Sequence, residues 1–382
     1  MKADLFSYPT PFTPPTTEED ELSVLRLIRS RRVGPATFHR MIREHGTAQA
    51  ALAALPEVAR AAGVADYQTC PEGVALAEIK AGRRAGAQLI CYGTQAYPHD
   101  LAGIDDAPPV LWALGRIELL HSPMVAMVGA RNASSLGLRM ARRLAEGLGE
   151  AGITVVSGLA RGIDTAAHQA ALPTGTIAVQ AGGIEVIYPQ ENAKLAAQIG
   201  EQGLRLSENP PGTQPQARHF PQRNRIISGL AAGVVVVEAA TKSGSLITAR
   251  DALDQGREVM AVPGHPMDGR AGGCNLLIRD GAILVRGSED VLAALQAVTE
   301  PPAPVAIPSP ATSPERDALN APPSPHRLED RITGCLTPSP VAEDQVIRDL
   351  GIDAAQFSRA IVVLEIEGHV TRHPGGLISL PM

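Results

Sequence analysis

From Met124 onward the chain alternates short, uninterrupted apolar runs with longer stretches whose apolar residues recur at helical spacing. The runs fall at Val125 to Val128, Ile153 to Val156, Ile177 to Val179, Leu204 to Leu206, Val234 to Val237, Val259 to Val262 and Ile283 to Val285. An unbroken apolar run marks a strand buried on both faces, so the pattern predicts a parallel sheet with helices on each side. Between the first two runs, Leu136, Met140, Leu144 and Leu148 recur at four-residue intervals while Arg139, Arg142 and Arg143 fall elsewhere, which predicts an amphipathic helix. The predicted fold class is α/β: an extended Rossmann-like, doubly wound, mostly parallel sheet.

Upstream the pattern is different. Residues 1–19 are rich in Pro and Thr without periodicity, the signature of a disordered leader. Leu22, Leu25 and Ile28, then Val33-Gly34-Pro35, then Phe38, Met41 and Ile42 predict two amphipathic helices around a tight turn. Residues 20–72 therefore read as a small helical module of the SAM or helix-hairpin-helix kind. Arg29, Arg31 and Arg32 beside that turn suit a phosphate contact, although a protein-interaction module with a solvated basic face fits equally. Residues 73–120 read as a lead-in that packs on the edge of the sheet domain, with a helix to about Gly86 and a strand at Gln88 to Tyr92.

The sheet domain is expected to span 73–298. A Pro-, Ala- and Ser-rich linker comes next, over 299–327. Residues 328–382 then give a helix near Val341 to Leu350, the turn Gly351-Ile352-Asp353, a helix to about Glu367 and a hairpin through Pro374-Gly375-Gly376. That is a winged-helix outline. Its second helix offers Arg359 beside Asp353, Glu365 and Glu367, a poor charge balance for reading duplex DNA.

Composition narrows the class. The chain of 382 residues is 44% hydrophobic and 19% charged, as in globular proteins, and no apolar run approaches the ~20 residues of a membrane helix. A cytoplasmic location is expected, because the N-terminus lacks a basic region followed by an apolar core. Cys70, Cys91, Cys274 and Cys335 are scattered, so neither a zinc site nor a disulfide framework is indicated, and no cofactor is implied. The formal net charge of -6 argues against a nucleic-acid binder until its distribution is considered. Residues 291–382 carry 6 basic and 11 acidic residues, so much of the negative charge lies in the tail. Residues 205–250 hold Arg205, Arg218, Arg223, Arg225, Lys242 and Arg250 against Glu208 and Glu238, a local net of +4.

The loops after the predicted strands carry the candidate chemistry. Gly129-Ala130-Arg131, Ser157-Gly158-Leu159-Ala160-Arg161-Gly162, Ala181-Gly182-Gly183, Ser207-Glu208-Asn209, Glu238 to Ser245 and Pro263-Gly264-His265 share one sheet edge, where doubly wound folds bind ligands. Several open helices, whose free N–H groups favour anions, so the expected ligand is phosphate. Arg131 suits a forked phosphate contact; its plain alternative is a surface arginine on a tight turn. Asp164 and His168 are four apart, but a helix cap with a packed histidine explains them better than an acid–base pair. Phe220 and Tyr188, the sole Phe and Tyr between residues 121 and 290, fall in expected loops on this edge. A ring beside Arg218, Arg223 and Arg225 can stack a base, at roughly 1–3 kcal/mol, or simply plug the core under a loop. Lys242-Ser243-Gly244-Ser245 resembles a phosphate loop but lacks GxxxxGK[ST], so ATP hydrolysis is not indicated.

GAR, SGLARGID with AAH, AGG with Tyr188-Pro189, SEN, FPQRNRII, VVVVEA, SGSLITA and VPG, in this order, resemble the DNA-processing protein A family (DprA, also called Smf) over about residues 73–290. The resemblance implies a non-enzymatic binder of single-stranded DNA that forms homodimers, protects incoming strands in natural transformation and loads RecA recombinase. It implies a phosphate contact at Arg131, a base pocket at Phe220, and a strand path along Arg223, Asn224, Arg225, Lys242, Ser243 and Gly244. Gly129, Ser157 and Gly158, in the first two loops, and Lys194, after Tyr188-Pro189, complete the candidates. Two other readings stand beside it. One is a phosphoribohydrolase-like nucleotide enzyme, which needs a glutamate just past its glycine-rich turn, where Leu246 to Arg250 holds no acid. The other is an adaptor whose end modules recruit recombinase or single-strand-binding protein.

Overall fold

The computed structural model describes residues 12–299, 325–336, 341–373 and 376–381. Most of the expected leader, most of the expected linker and the hairpin tip at Pro374-Gly375 lie outside the described residues. The chain forms two compact units, Met1–Ala303 and Pro304–Met382.

The first unit opens with α1 (Glu18–Arg29), α2 (Pro35–His45), α3 (Ala48–Ala61) and α4 (Glu72–Arg84). Thr17 and Asp20 form a capping box on α1, and Thr47 caps α3 through the Ala50 amide. Residues 12–17, expected in the disordered leader, are held instead. The Thr13 amide donates to Gly46 O (3.0 Å) and the Phe12 ring lies 5.7 Å from that of Tyr92. Nor is the helical module separate from the sheet domain. Leu25, Phe38 and Met41 share one core with Ala75 of α4 and with Cys91 and Val110. Arg29 is engaged internally, bonded to Glu78 (2.8 Å), which also accepts from Trp112 Nε1 (3.1 Å). That removes Arg29 from the basic face expected beside the turn, while Arg31 and Arg32 stay exposed.

Next come β1 (Gln88–Cys91), α5 (His99–Ala102), β2 (Val110–Gly115), β3 (Met124–Val128), α6 (Ser135–Glu150), β4 (Thr154–Ser157), α7 (Ile163–Ala171) and β5 (Thr176–Gln180). They continue through α8 (Ala193–Gln202), β6 (Leu204–Ser207), α9 (His219–Leu230), β7 (Gly233–Val236), α10 (Ser245–Asp254), β8 (Glu258–Ala261), α11 (Gly272–Arg279), β9 (Ile283–Leu284) and α12 (Ser288–Thr299). The nine strands form one sheet in the order β1-β2-β6-β5-β4-β3-β7-β8-β9. β3 through β9 pair in parallel and correspond to the seven predicted runs. The lead-in adds two antiparallel strands at the β6 edge, of which β2 is obscured in the sequence by Pro108-Pro109 before it.

Side chains of each central strand alternate between two helical layers. Val125 and Met127 meet Ala141, Leu144 and Leu148 of α6, whereas Ala126 and Val128 join Ile226, Ile227 and Leu230 of α9. Two apolar layers on one strand are why the run is unbroken. The four-residue spacing on α6 drifts against a 3.6-residue turn, so Leu136 is 69% exposed and Ala141 and Ala145 fill the buried stripe. From β3 the chain winds outward to β6, then returns through α9 to β7 on the other side of β3. The β3/β7 boundary is therefore the topological switch point.

The second unit contains α13 (Pro325–Cys335), β10 (Val341–Ala342), α14 (Glu343–Leu350), α15 (Ala354–Ile366), β11 (Thr371–His373) and β12 (Leu377–Ser379). Its sheet, ordered β10-β12-β11, and its core of Ile332, Phe357, Ile361 and Ile378 give the winged-helix arrangement. The helix expected from Val341 starts two residues later because Val341 and Ala342 pair with Ile378 and Leu377. Among the described residues no helix is long and apolar enough to cross a membrane.

Candidate nucleic-acid interface

At the switch point three loops are stitched together. The Ala130 amide donates to Glu238 O (2.6 Å), and the Ile163 amide donates to Ala130 O (3.2 Å). Gly129 has no room for a side chain, since a Cβ would lie 2.6 Å from Ile163 Cγ1 and 3.0 Å from Glu238 O. Ser134 caps α6 through the Gly137 amide (3.0 Å), and Glu238 in turn accepts from the Ser134 amide (3.0 Å) and hydroxyl (2.5 Å). A protein carboxylate thus occupies the helix terminus where a Rossmann-type enzyme holds a ligand phosphate. A phosphate expected at this helix start would compete with Glu238 for the Ser134 amide and hydroxyl.

The loop after β4 is likewise self-satisfied. Asp164 Oδ2 accepts from the amides of Gly158 (3.1 Å) and Ala160 (3.3 Å). His168 Nε2 accepts from the Leu159 amide (3.3 Å), and its Nδ1 meets Thr176 Oγ1 (2.7 Å), which donates to Val155 O (2.9 Å). With that hydroxyl proton already assigned, Nδ1 carries the ring's hydrogen and the imidazole is neutral. Burial pushes the His168 pKa down to about 3, and burial raises that of Asp164 against the pull of Arg223. The pair is buried and shapes the loop. Ser157 is also internal: its hydroxyl is fully buried and donates to Met127 O (2.6 Å), which removes it from the candidate contacts.

Phe220, expected in a loop, lies in the first turn of α9, and Arg223, Asn224 and Arg225 follow it on the same helix. Helical geometry then sends them to different places. Arg223 Nη1 donates to Gly158 O and to Val179 O (2.8 Å), tying α9 to the ends of β4 and β5, and burial lowers its pKa to about 10. Gly158 is glycine because any Cβ would collide with that guanidinium. Arg225 turns inward to Glu208 (2.7 Å) and Asp106 (3.1 Å), with its side chain 12% exposed. Its charge is neutralised within the fold, so it lies off the expected strand path. Asn224 is half-buried beside it.

What the fold does converge is a ring-lined cavity of about 240 Å³. Tyr188 and Phe220 stand with ring centroids 5.5 Å apart at 57°, and the Arg131 guanidinium sits 5.4 Å over the Phe220 ring. Gly158 and Arg223 also line the cavity, and at its rim Arg161 pairs with Glu191 (3.2 Å). Arg131 is exposed and has no carboxylate partner among the described residues, so its guanidinium can rest on the ring and still meet an anion. Tyr188, 51% exposed, lines the same cavity. Arg161 and Glu191 were not foreseen, because only the fold brings the loops after β4 and β5 together.

The remaining candidates sit on neighbouring loops and outside this cavity. Lys242 and Gly244 are exposed in the turn between β7 and α10, where Ser243 and Ser245 join hydroxyls at 2.6 Å. Lys194 is exposed in the first turn of α8. Among the described residues no cluster of His, Cys, Asp and Glu suits a metal ion.

Comparison with known proteins places this architecture. The family described as DNA recombination-mediator protein A matches residues 88–296, the DprA-like N-terminal HHH domain matches 18–81, and the DprA winged helix domain matches 308–376. The DNA processing protein DprA of Streptococcus pneumoniae is 51% identical over 199 residues, covering 52% of this chain and 70% of its own. Protein Smf of Escherichia coli K12 is 42% identical over 299 residues, covering 76% and 77%. The S. pneumoniae DprA crystal structure superposes with a TM-score of 0.58 at 38% identity, covering 72% of this chain and 96% of its own. DNA processing protein A from Helicobacter pylori, described for its single-stranded DNA binding mode, gives 0.51 at 29% identity, covering 55% and 97%. With the central domain matched over more than half of the chain and both flanking domains matched in order, the chain belongs to the DNA-processing protein A (DprA/Smf) family.

Proposed function

We propose that the chain binds single-stranded DNA without altering it, protects the strand and loads RecA recombinase onto it during natural transformation and recombination. The observation that carries this reading is the ring cavity, in which two aromatic faces and an unpaired guanidinium adjoin. A base stacks on such rings in any sequence, and the guanidinium meets its phosphate. A cavity of about 240 Å³ takes a single ring system, which a base already stacked and paired in a duplex cannot offer. The binding mode described for the H. pylori relative supports the same ligand.

In this reading Arg131, Gly158, Tyr188 and Phe220 hold the nucleotide, with Gly129 letting the loop that carries Arg131 pack against Ile163 and Glu238. Lys194, Asn224, Lys242, Ser243 and Gly244 extend the track, whereas Ser157, Arg223 and Arg225 hold the scaffold. The buried, internally bonded Asp164 and His168 and the Glu238 carboxylate at the start of α6 support binding over nucleotide hydrolysis. Membership of a recombination-mediator family supports RecA as partner, a homodimer as the working form, cooperation with single-strand-binding protein, and a cytoplasmic setting. Titration of single-stranded and duplex oligonucleotides over a salt series tests the reading. Tight single-strand binding that strengthens as salt is lowered is expected, and equal affinity for duplex would overturn it.

A further inference from the structure

Arg131 lines two cavities. Besides the ring cavity, it borders a groove of about 340 Å³ between α6 and α7, lined also by Asn132, Arg142, Thr165 and Gln169. No carboxylate lines this groove, whereas the ring cavity has Glu191 at its rim and the cavity on the other flank of α6 contains Glu238 and Asp268. It contains no aromatic ring either. Arg139 and Arg143 border that other cavity, so of the arginines on α6 only Arg142, one turn after Leu138 on the same face, borders the groove. Three arginines near this edge are paired, Arg161 with Glu191, Arg225 with Glu208 and Arg270 with Asp268. Arg131 and Arg142 have no ion-pair partner among the described residues, and the exposed amides of Asn132 and Gln169 have no hydrogen-bond partner among them.

We propose that the α6/α7 groove holds the phosphodiester backbone of the same strand immediately beyond the nucleotide in the ring cavity, with Arg142 as its cationic contact. The inference rests on the single-strand reading of that cavity and adds a direction to it: the strand crosses Arg131 toward Arg142. Arg131 is the hinge, its guanidinium stacked toward Phe220 and its main chain beside Gly162, whose absent Cβ would meet Arg131 C at 2.9 Å. A polar groove with donors, cations and no ring contacts phosphate and sugar, which position a strand, and leaves the bases unread.

The test measures oligothymidylate affinity against salt concentration by fluorescence anisotropy for the full chain and for Arg142→Ala, Arg142→Lys, Arg131→Ala and Phe220→Ala. Losing one phosphate contact on a single strand lowers the log–log salt slope by about 0.7. Arg142→Ala is expected to show that loss with long oligonucleotides, Arg142→Lys to retain the slope, and oligoadenylate to give the same result. Arg142 is exposed, so its variants should melt like the parent. A parental slope in Arg142→Ala, with Arg131→Ala and Phe220→Ala weakened, overturns the groove and leaves the ring cavity standing. A slope lost equally in Arg142→Lys overturns the phosphate assignment. If none of the four variants differs from the parent, the ring-cavity reading fails and the groove fails with it.

Discussion

Replacing Phe220 by alanine separates stacking from charge at the proposed site. Phe220 is half-buried in the first turn of α9, 5.5 Å from Tyr188 and beneath Arg131 at 5.4 Å. Without it a bound base loses one stacking face, a cost of about 1–3 kcal/mol, or roughly five- to 140-fold in Kd. No phosphate contact is removed, so the slope of log affinity against log salt should stay parental. Arg131→Ala should behave in the opposite sense, lowering the slope by about 0.7. Stability should change little, because the ring pair and the cation–π contact are worth about 0.5–1.5 kcal/mol each and part of each is solvated. In a unit of this size 1 kcal/mol moves Tm by about 2–4 °C. Anisotropy titrations at four salt concentrations, with calorimetry on the same samples, read all three quantities. A parental Kd in Phe220→Ala, or a slope reduced as far as in Arg131→Ala, would refute the stacking role.

The surrounding scaffold gives three further outcomes. Arg225→Ala strands Glu208 and Asp106 and should cost about 3–5 kcal/mol in chemical denaturation, with single-strand affinity retained in the folded fraction; weakened binding at full stability would contradict its internal role. His168 titrates in the unfolded chain near 6.5 and in the fold at about 3, so its contribution is present above pH 6.5 and is lost as pH falls toward 3. His168→Gln should therefore be less stable at pH 7 and show a flatter acid limb of stability against pH across that window. Glu238→Ala vacates the start of α6, so millimolar sulfate should raise the Tm of the variant and leave the parent unchanged; no difference between the two would mean that Glu238 does not fill an anion site.

The sheet was legible because every central strand is buried twice, and a residue such as Val125 must be apolar whichever layer it faces. β2 was hidden because the Pro108-Pro109 step before it reads as a loop, and its partners on β6 lie 89 to 95 residues away, from Gly115 with Leu204 to Trp112 with Ser207. The ring cavity was half legible. Phe220 and Tyr188 stood out as isolated aromatics in a chain with only 3% of them, and Gly129-x-Arg131 marked the first loop. Their common location needed the fold, since Tyr188 lies beyond β5, Phe220 opens α9 and Arg131 lies beyond β3.

Charge was the least legible property, and it decides the function. The local net of +4 over residues 205–250 counts Arg225 and Lys242 alike, yet one is neutralised by Glu208 and Asp106 and the other is exposed. Asp106 lies 119 residues before Arg225, so no local window could have subtracted it. The same holds for Arg29, matched by Glu78 across 49 residues. A basic stretch binds a phosphate chain only through the cations the fold leaves unpaired, because a paired guanidinium must give up its carboxylate before it can exchange counterions with DNA. On this edge Arg131, Arg142 and Lys242 are three of the cations without an ion-pair partner among the described residues, and they stand on three separate elements after β3, along α6 and after β7. A net charge of -6 is therefore no obstacle to binding a single strand: the acids near the site are held against other arginines or against the Ser134 cap. The interface is defined by those pairings more than by its composition.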